Sequence, residues 1–556
     1  MRATTLTCLS LLLAASCAAG SNFLSPEEAE ESSVYGAFLA ARYAGASRDM
    51  DRSAALYAEA LELQPDFELL SQRSFFAALL AGDFELADQA ALTSAEGAED
   101  PQLVRLYLDA VALERGDRYE DSPDDPQLGA FARAVQTVMT DWSRAQTRSG
   151  AREVAAETLD VSAQVADYGI LHKAMLFEAA GQWDRALDGY TSAALNGDMI
   201  ELATVLQGAL LERRGRRNEA IALYRQRVDE DPYPDPEVLY ALQRAEAGRR
   251  APRFDANEYA ARALYALTRA LTRNSPGDYT ALFQRLVERV DPEFARNRYS
   301  LAQTLESIDM DGEALAIYES LDGTAFETRA EVDAAWLLFT TGRREEALLR
   351  AEQLQSDSMD ETARLLLADI YRLTDQCDRA LPLYASVSET DRSARQRWQP
   401  AFFEGICYQQ LGDWDSAEAR YIQALEYAPD EPRVLNHLGY NWIVFGEHVE
   451  EGLDMVRRAA ELAPDNGAIL DSVGWGLYKL GRYEEAVGYL ERAAVASPGN
   501  ATINWHLGDA YARQGRALEA RFSWEHALEL DPQPRERTLI EARLEGGIET
   551  GPDDIE

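Results

Sequence analysis

Few residues in this 556-residue chain have the types and spacing that chemistry requires. Its five histidines, His172, His437, His448, His506 and His526, each stand singly on helical or turn segments. Zinc hydrolysis needs paired histidines one helical turn apart with a carboxylate between them, and that pattern is absent. There is no Cys-x-x-Cys, no Gly-x-Ser-x-Gly elbow and no glycine-rich phosphate loop followed by Lys. The stretch DMDGEALAIYE, Asp309 to Glu319, echoes a calcium loop in Asp309, Asp311 and Gly312. Its first ligand slot would then be Ser307, and Tyr318 would stand where the bidentate Glu belongs, so the loop would not hold calcium. Arginines cluster at Arg213–Arg217 and Arg249–Arg253, where they read as isolated, solvated turn residues. No catalytic, metal or cofactor site is expected, and an enzyme with a cryptic site in the irregular stretch Gly116 to Thr158 is the weakest reading.

The elements that would carry these residues are legible from a repeat. Ser472 to Pro498 aligns with Leu507 to Pro532, so that Gly481 and Gly515, Ala486 and Ala520, Ala493 and Ala527, and Pro498 and Pro532 are each 34 residues apart. Gly405, Tyr408, Gly412, Trp414, Ala417, Tyr421, Ala424 and Pro429 fill the same slots one copy upstream. The physics is that of two short helices in a hairpin. Gly405, Gly474 and Gly508 in the first helix let the second approach closely, and Gly412, Gly481 and Gly515 end the first helix in a left-handed backbone. Trp414 and Tyr483 open the second helix, Tyr421 and Trp524 fill the remaining gap, and the proline stops the hairpin.

This pattern resembles the tetratricopeptide repeat, whose period is also 34 residues. The resemblance implies an all-α solenoid of helical hairpins, a superhelix of about a dozen repeats, some degenerate. The motif recurs more loosely upstream, in AALYAEALELQP, AGQWDRALDGYTSAA and RGRRNEAIALYRQRVDEDP, and FGEHVEE after Phe445 carries one residue too many in its turn. The organisation read from sequence is a degenerate N-terminal array over 30–250, a middle irregular array over 251–400, and a well-formed array over 401–535. An acidic tail over 545–556 is expected to be disordered. Phase within the hairpins places Asn436, Tyr440, Asp471, Trp475, Tyr478, Trp505, Asp509 and Arg513 on the concave side, a mixture of aromatic and polar groups suited to gripping a protein partner. The alternative is that Trp475 and Trp505 pack between repeats. The Lys and Asn pattern of chaperone-binding repeat domains is absent, since Lys479 stands alone.

Composition narrows the partners. The 96 acidic residues against 54 basic ones leave a formal charge of -42, which repels phosphate backbones and argues against nucleic acid. The N-terminus, MRATTLTCLSLLLAASCAAG, has one early arginine, a short apolar run and small residues, as a signal peptide over 1–20 does. LLAASC resembles a bacterial lipobox ending before Cys17, with Ala14 where Leu is usual; ordinary cleavage after Ala18 or Gly20 is the rival, and both stay open. A lipidated Cys17 would be the only membrane contact. An exported chain permits Cys377 and Cys407 to pair, although two buried thiols would serve the sequence equally well.

The stretch from Leu435 to Pro532 is similar to a branch of envelope tetratricopeptide proteins of Gram-negative bacteria, many of them outer-membrane lipoproteins. The matching residues are Leu438-Gly439-Tyr440, the long turn after Gly446, Ile469-Leu470-Asp471-Ser472 and Gly474-Trp475. The resemblance implies a periplasmic adaptor whose partners are other proteins, among them a carboxyl-terminal processing protease and its substrates. The alternative is a structural subunit of an envelope machine that assembles or exports polysaccharide, pili or outer-membrane proteins.

Overall fold

The computed structural model describes residues 33–547 apart from 66, 95–101, 118–128, 158–165, 196, 198, 231–233, 275–276, 359–360, 389–393 and 447. The signal segment, Cys17 and residues 548–556 of the acidic tail lie outside the described residues, whereas 545–546 close the last helix. Every regular element described is an α-helix. The chain divides after Leu337 into two compact units.

The first unit opens with hairpins α1 (Val34–Ala46) with α2 (Met50–Leu63) and α3 (Glu68–Ala81) with α4 (Phe84–Ser94). Three less regular helices follow: α5 (Gln102–Glu114), α6 (Ala130–Arg144) and α7 (Arg148–Ala156). Hairpins resume with α8 (Ala166–Ala179) and α9 (Trp183–Ala193), then α10 (Ile200–Arg213) and α11 (Arg217–Glu230), trailed by α12 (Pro236–Glu246). The stretch that fits the repeat poorly forms α13 (Ala256–Asn274) and α14 (Asp278–Val290). It does not extend the stack. The chain doubles back, so that α13 packs on α6 and α8 while α14 packs on α5 and α3.

Aromatic pairs make this seam: Trp142 stacks on Tyr259 at 5.3 Å and Phe131 meets Phe283 edge-on at 5.0 Å. Arginines on α14 pin it. Arg285, buried, donates to the carbonyls of Leu80 (3.3 Å) and Ala81 (3.1 Å) at the end of α3, where the helix leaves carbonyls unpaired. The adjoining Gly82 has φ +87°, and a Cβ there would lie 2.6 Å from the Arg285 guanidinium, so glycine is required twice over. Arg289 bridges Asp88 and Glu114, each at 3.1 Å. The hairpin α15 (Ala295–Glu306) and α16 (Asp311–Glu319) then continues from α14, and α17 (Glu327–Thr340) runs across the division. Within α16, Ala314 and Tyr318 are core residues and Asp309 takes the left-handed turn conformation, which accounts for DMDGEALAIYE as a repeat turn.

The second unit continues with α18 (Arg344–Ser358), α19 (Glu361–Leu373), α20 (Cys377–Ser388), α21 (Ala394–Gln410) and α22 (Trp414–Tyr427). Beyond these come α23 (Pro432–Phe445), α24 (Val449–Leu462), α25 (Gly467–Lys479), α26 (Tyr483–Ala496), α27 (Ala501–Arg513), α28 (Ala517–Glu529) and α29 (Pro534–Gly546). The principal contacts here run between helices one or two places apart in the chain, as in a nearest-neighbour stack. The glycines behave as their spacing implies. A Cβ on Gly405 would lie 2.5 Å from Tyr421, on Gly474 2.5 Å from Leu490, and on Gly508 2.4 Å from Trp524. Gly412, Gly481 and Gly515 have φ of +78°, +72° and +78°. The long turn after Phe445 uses two left-handed residues, Gly446 and His448, to absorb its extra residue.

A polar feature that the spacing does not announce recurs in both units. The buried tyrosine of the second helix donates its hydroxyl to a side chain of the first: Tyr190 to Glu178 at 2.6 Å, Tyr224 to Glu212 at 3.2 Å, Tyr318 to Glu306 at 2.9 Å and Tyr421 to Gln409 at 2.7 Å. Each partner lies 12 residues earlier. A buried phenol needs an acceptor, and the facing position of the same hairpin supplies it.

Candidate functional site

The expected groove residues lie on the first helices of the last three repeats, α23, α25 and α27. These helices pack directly on one another, α23 on α25 and α25 on α27. Small residues allow this approach: a Cβ on Gly476 would lie 2.8 Å from Ile443 of α23. The closeness divides the eight residues into a buried floor and a partly open rim.

Asp471, Trp475, Trp505 and Asp509 form the floor. Trp475 is 7% exposed and Trp505 4%, so neither stands free as a groove anchor. Trp475 is sandwiched, parallel to Tyr478 at 4.7 Å and to His506 at 3.8 Å, with Trp505 tilted beside it at 5.9 Å. His506 Nδ1 lies 2.9 Å from Asp471, tying α27 to α25. Asp509 accepts from Trp524 Nε1 at 2.9 Å and sits 3.4 Å from Arg543, joining α27, α28 and α29. Burial raises its carboxyl above the usual range, against the opposing pull of Arg543 and Trp524. These four residues are therefore corrected to structural roles: neighbouring repeats consume the faces expected to meet a partner.

Tyr440, Tyr478, Asn436 and Arg513 form the rim. Tyr440, Tyr478 and Asn436 are half-buried and Arg513 is exposed. Arg513 Nε reaches the Tyr478 hydroxyl at 3.4 Å. Burial, helped by the Asp471 charge, pushes the Tyr440 phenol up to about 12. The Asn436 side-chain oxygen is buried without a hydrogen-bond partner among the described residues. Sequence reasoning passed over two contributors. Lys479 is exposed with its ammonium 5.5 Å over the Trp475 ring, and His506, read as a lone helical histidine, is the centre of the stack. The signal for His506 was its phase: it follows Trp505 and lies 35 residues after Asp471, about one repeat along.

Elsewhere in this unit Cys377 and Cys407 are joined by a disulfide, with Cα atoms 5.0 Å apart and both residues buried. Among the described residues no group of three or more His, Cys, Asp or Glu is placed to hold a metal. No described helix is long and apolar enough to cross a membrane.

Such a layer of stacked hairpins, keyed by glycine, alanine and an aromatic wedge, defines a class of repeat protein. The family described as the tetratricopeptide repeat matches residues 404–467 and 474–533, so these C-terminal hairpins are similar to that repeat. It is 27% identical over 175 residues to the TPR repeat-containing protein PA4667 of Pseudomonas aeruginosa, a match covering 31% of this chain and 29% of that protein. The chain thus aligns with less than a third of that relative's length. Among solved structures, a tetratricopeptide repeat protein from Parabacteroides merdae aligns over 45% of this chain and 97% of its own, at 14% identity and a TM-score of 0.37. The APC/C hetero-tetramer Cut9-Hcn1 aligns over 94% of this chain and 98% of its own, at 15% identity and a TM-score of 0.40.

Proposed function

We propose that this chain is a non-catalytic scaffold of the bacterial envelope that holds protein partners against the rim of α23, α25 and α27. The observation that carries the reading is the division of that wall. A rigid aromatic floor underlies half-open tyrosines, with a lysine and an arginine exposed beside them. Preorganised aromatic area with a cationic edge is what a docking surface needs to gain more than it spends in side-chain ordering. The exposed Lys479 and Arg513 lie in a chain with a formal charge of -42, so they favour a partner that presents acidic or carbonyl groups there.

The disulfide between Cys377 and Cys407 supports an oxidising compartment, consistent with export by the N-terminal signal. The similarity of Leu435–Pro532 to envelope adaptors supports a finer reading, in which the partners are a carboxyl-terminal processing protease and the substrates delivered to it.

The test is capture of crosslinked envelope proteins by the mature chain, beside the double variant Tyr478→Ala/Arg513→Glu. Arg513 is exposed, whereas Tyr478 stacks on Trp475 at 4.7 Å, so the double variant should melt somewhat lower and the single variant Arg513→Glu, expected to melt as wild type does, is run beside it. The expected result is at least a tenfold fall in recovery of the wild-type partners. Equal recovery by the variant would remove the rim from the reading.

A further inference from the structure

The two arginine clusters that look isolated in the sequence are brought together by the fold of the first unit. Arg213 donates to the Pro252 carbonyl and to Glu178, and Arg217 donates to the Arg249 carbonyl at 3.0 Å. Arg213, Arg214 and Arg253 from these clusters, together with Arg148, which opens α7, line a cavity of about 540 Å³ walled by Trp142, Trp183, Phe254 and Tyr259. The cavity exists because α13 doubles back: Tyr259 and Asn257 reach it from α13, Trp142 from the end of α6 and Trp183 from the start of α9.

Its charge is opposite to that of the molecule. Arg148, Arg213, Arg214 and Arg253 line it against only Glu178 and Asp255, four positive charges to two negative, in a chain of formal charge -42. The two carboxylates are already engaged. Glu178 takes Arg213 and the Tyr190 hydroxyl, and Asp255 caps α13 by accepting from the Glu258 amide at 2.9 Å. Arg148 bonds a neutral acceptor, the Ala180 carbonyl, at 3.3 Å. Among the described residues Arg148, Arg214 and Arg253 have no carboxylate at ion-pairing distance, whereas Arg216, Arg285 and Arg296 each do. Arg148 and Arg214 instead lie over the Trp183 ring, at 5.7 and 5.2 Å. The indole N–H of Trp142, fully buried in the wall, finds no acceptor among the described residues. A buried indole donor ordinarily has one. Guanidiniums without a carboxylate partner among the described residues, together with aromatic faces in one concavity, are complementary to a carboxylate that adjoins an apolar or aromatic group.

We propose that this cavity binds a short acidic segment of a polypeptide. A carboxylate sits among Arg148, Arg214 and Arg253, and the side chain next to it stacks on Trp183. A densely charged polyanion is disfavoured, because the field of the surrounding protein repels it; a segment carrying one or two carboxylates meets little of that penalty. The site is separate from the rim of α23, α25 and α27 and does not depend on the function proposed for it.

The experiment is calorimetric titration of the full chain with a capped synthetic peptide containing Glu-Phe-Glu, with its Gln-Phe-Gln counterpart, and with inorganic phosphate at matched ionic strength. Saturable binding of the Glu peptide is expected, weakening as salt rises, with the Gln peptide and phosphate at least tenfold weaker. The double variant Arg214→Glu/Arg253→Glu, at two exposed positions, should keep the wild-type melting curve and bind the Glu peptide at least tenfold more weakly. Tyr478→Ala/Arg513→Glu should bind it as wild type does, so this proposal and the scaffold reading fail separately. Absence of saturable binding, equal binding of the Gln peptide, phosphate as tight as the peptide, or undiminished affinity in the arginine variant would each overturn the proposal.

Discussion

The two units solve the same packing problem differently. In the first, the helices that would line an open wall, α3, α5 and α8, are covered by the chain's own α13–α14 hairpin, held by contacts such as Arg285 to Leu80 that span 205 residues. In the second, α23, α25 and α27 keep the nearest-neighbour arrangement, and their wall closes only as far as one aromatic layer. Identical hairpin chemistry thus yields a self-occupied wall in one place and a partly open one in another. The difference lies in whether a later, irregular hairpin is available to fold back. Stability in the first unit should be shared across distant segments, and in the second it should be local.

Three substitutions can break or sharpen that contrast. The largest effect is expected from Arg285→Ala, which strands two helix-end carbonyls and the Glu288 carboxylate and should cost about 3 kcal/mol. Hydrogen exchange should quicken in α3 and α5 as well as in α14. Exchange confined to α14 would mean the fold-back does not couple distant segments. Gly508→Ala comes next. Its Cβ would fall 2.4 Å from Trp524 and 3.1 Å from the Ala520 carbonyl, an overpacking worth roughly 1–3 kcal/mol. Faster exchange should stop at α25 to α29; propagation through the whole second unit would contradict a nearest-neighbour stack.

Smallest at neutral pH, and developing only on acidification, is the effect at His172, buried beside Trp142 in the first unit. Burial, with the adjacent Lys173 charge, lowers its imidazole from 6.5 to about 3, although Asp141 stands 3.7 Å away. The unfolded chain therefore takes up this proton first. The stabilisation is fully present above pH 6.5 and is lost as pH falls toward 3, at up to about 1.4 kcal/mol per pH unit. Relative to His172→Phe, wild type should lose denaturant stability over that window. Parallel pH profiles for the two proteins would show that His172 is not held neutral.

What was legible in the sequence follows the same divide. Gly508, Gly515, Ala520, Trp524 and Pro532 act within one hairpin and its neighbour, so their roles repeat at a fixed interval and can be read by alignment of the chain with itself. The pairing of α14 with α3 happens once, between segments with no common pattern, and leaves no periodic trace. For the same reason Arg213–Arg217 and Arg249–Arg253 looked unrelated, though Arg217 touches the Arg249 carbonyl. At the C-terminal wall, phase correctly put Asp471, Trp475, Trp505 and Asp509 on the first helices. It could not say how closely those helices approach, and that distance, set by Gly476 against Ile443, decides which residues stay accessible.

The tyrosine-to-acceptor bonds inside single hairpins carry a consequence for how such a chain grows. Because Tyr190, Tyr224, Tyr318 and Tyr421 each find their acceptor 12 residues back, copying or deleting a whole hairpin orphans none of these four phenols. Array length can therefore drift by entire modules at little energetic penalty. An insertion that splits a module between the tyrosine and its acceptor would be rejected at once.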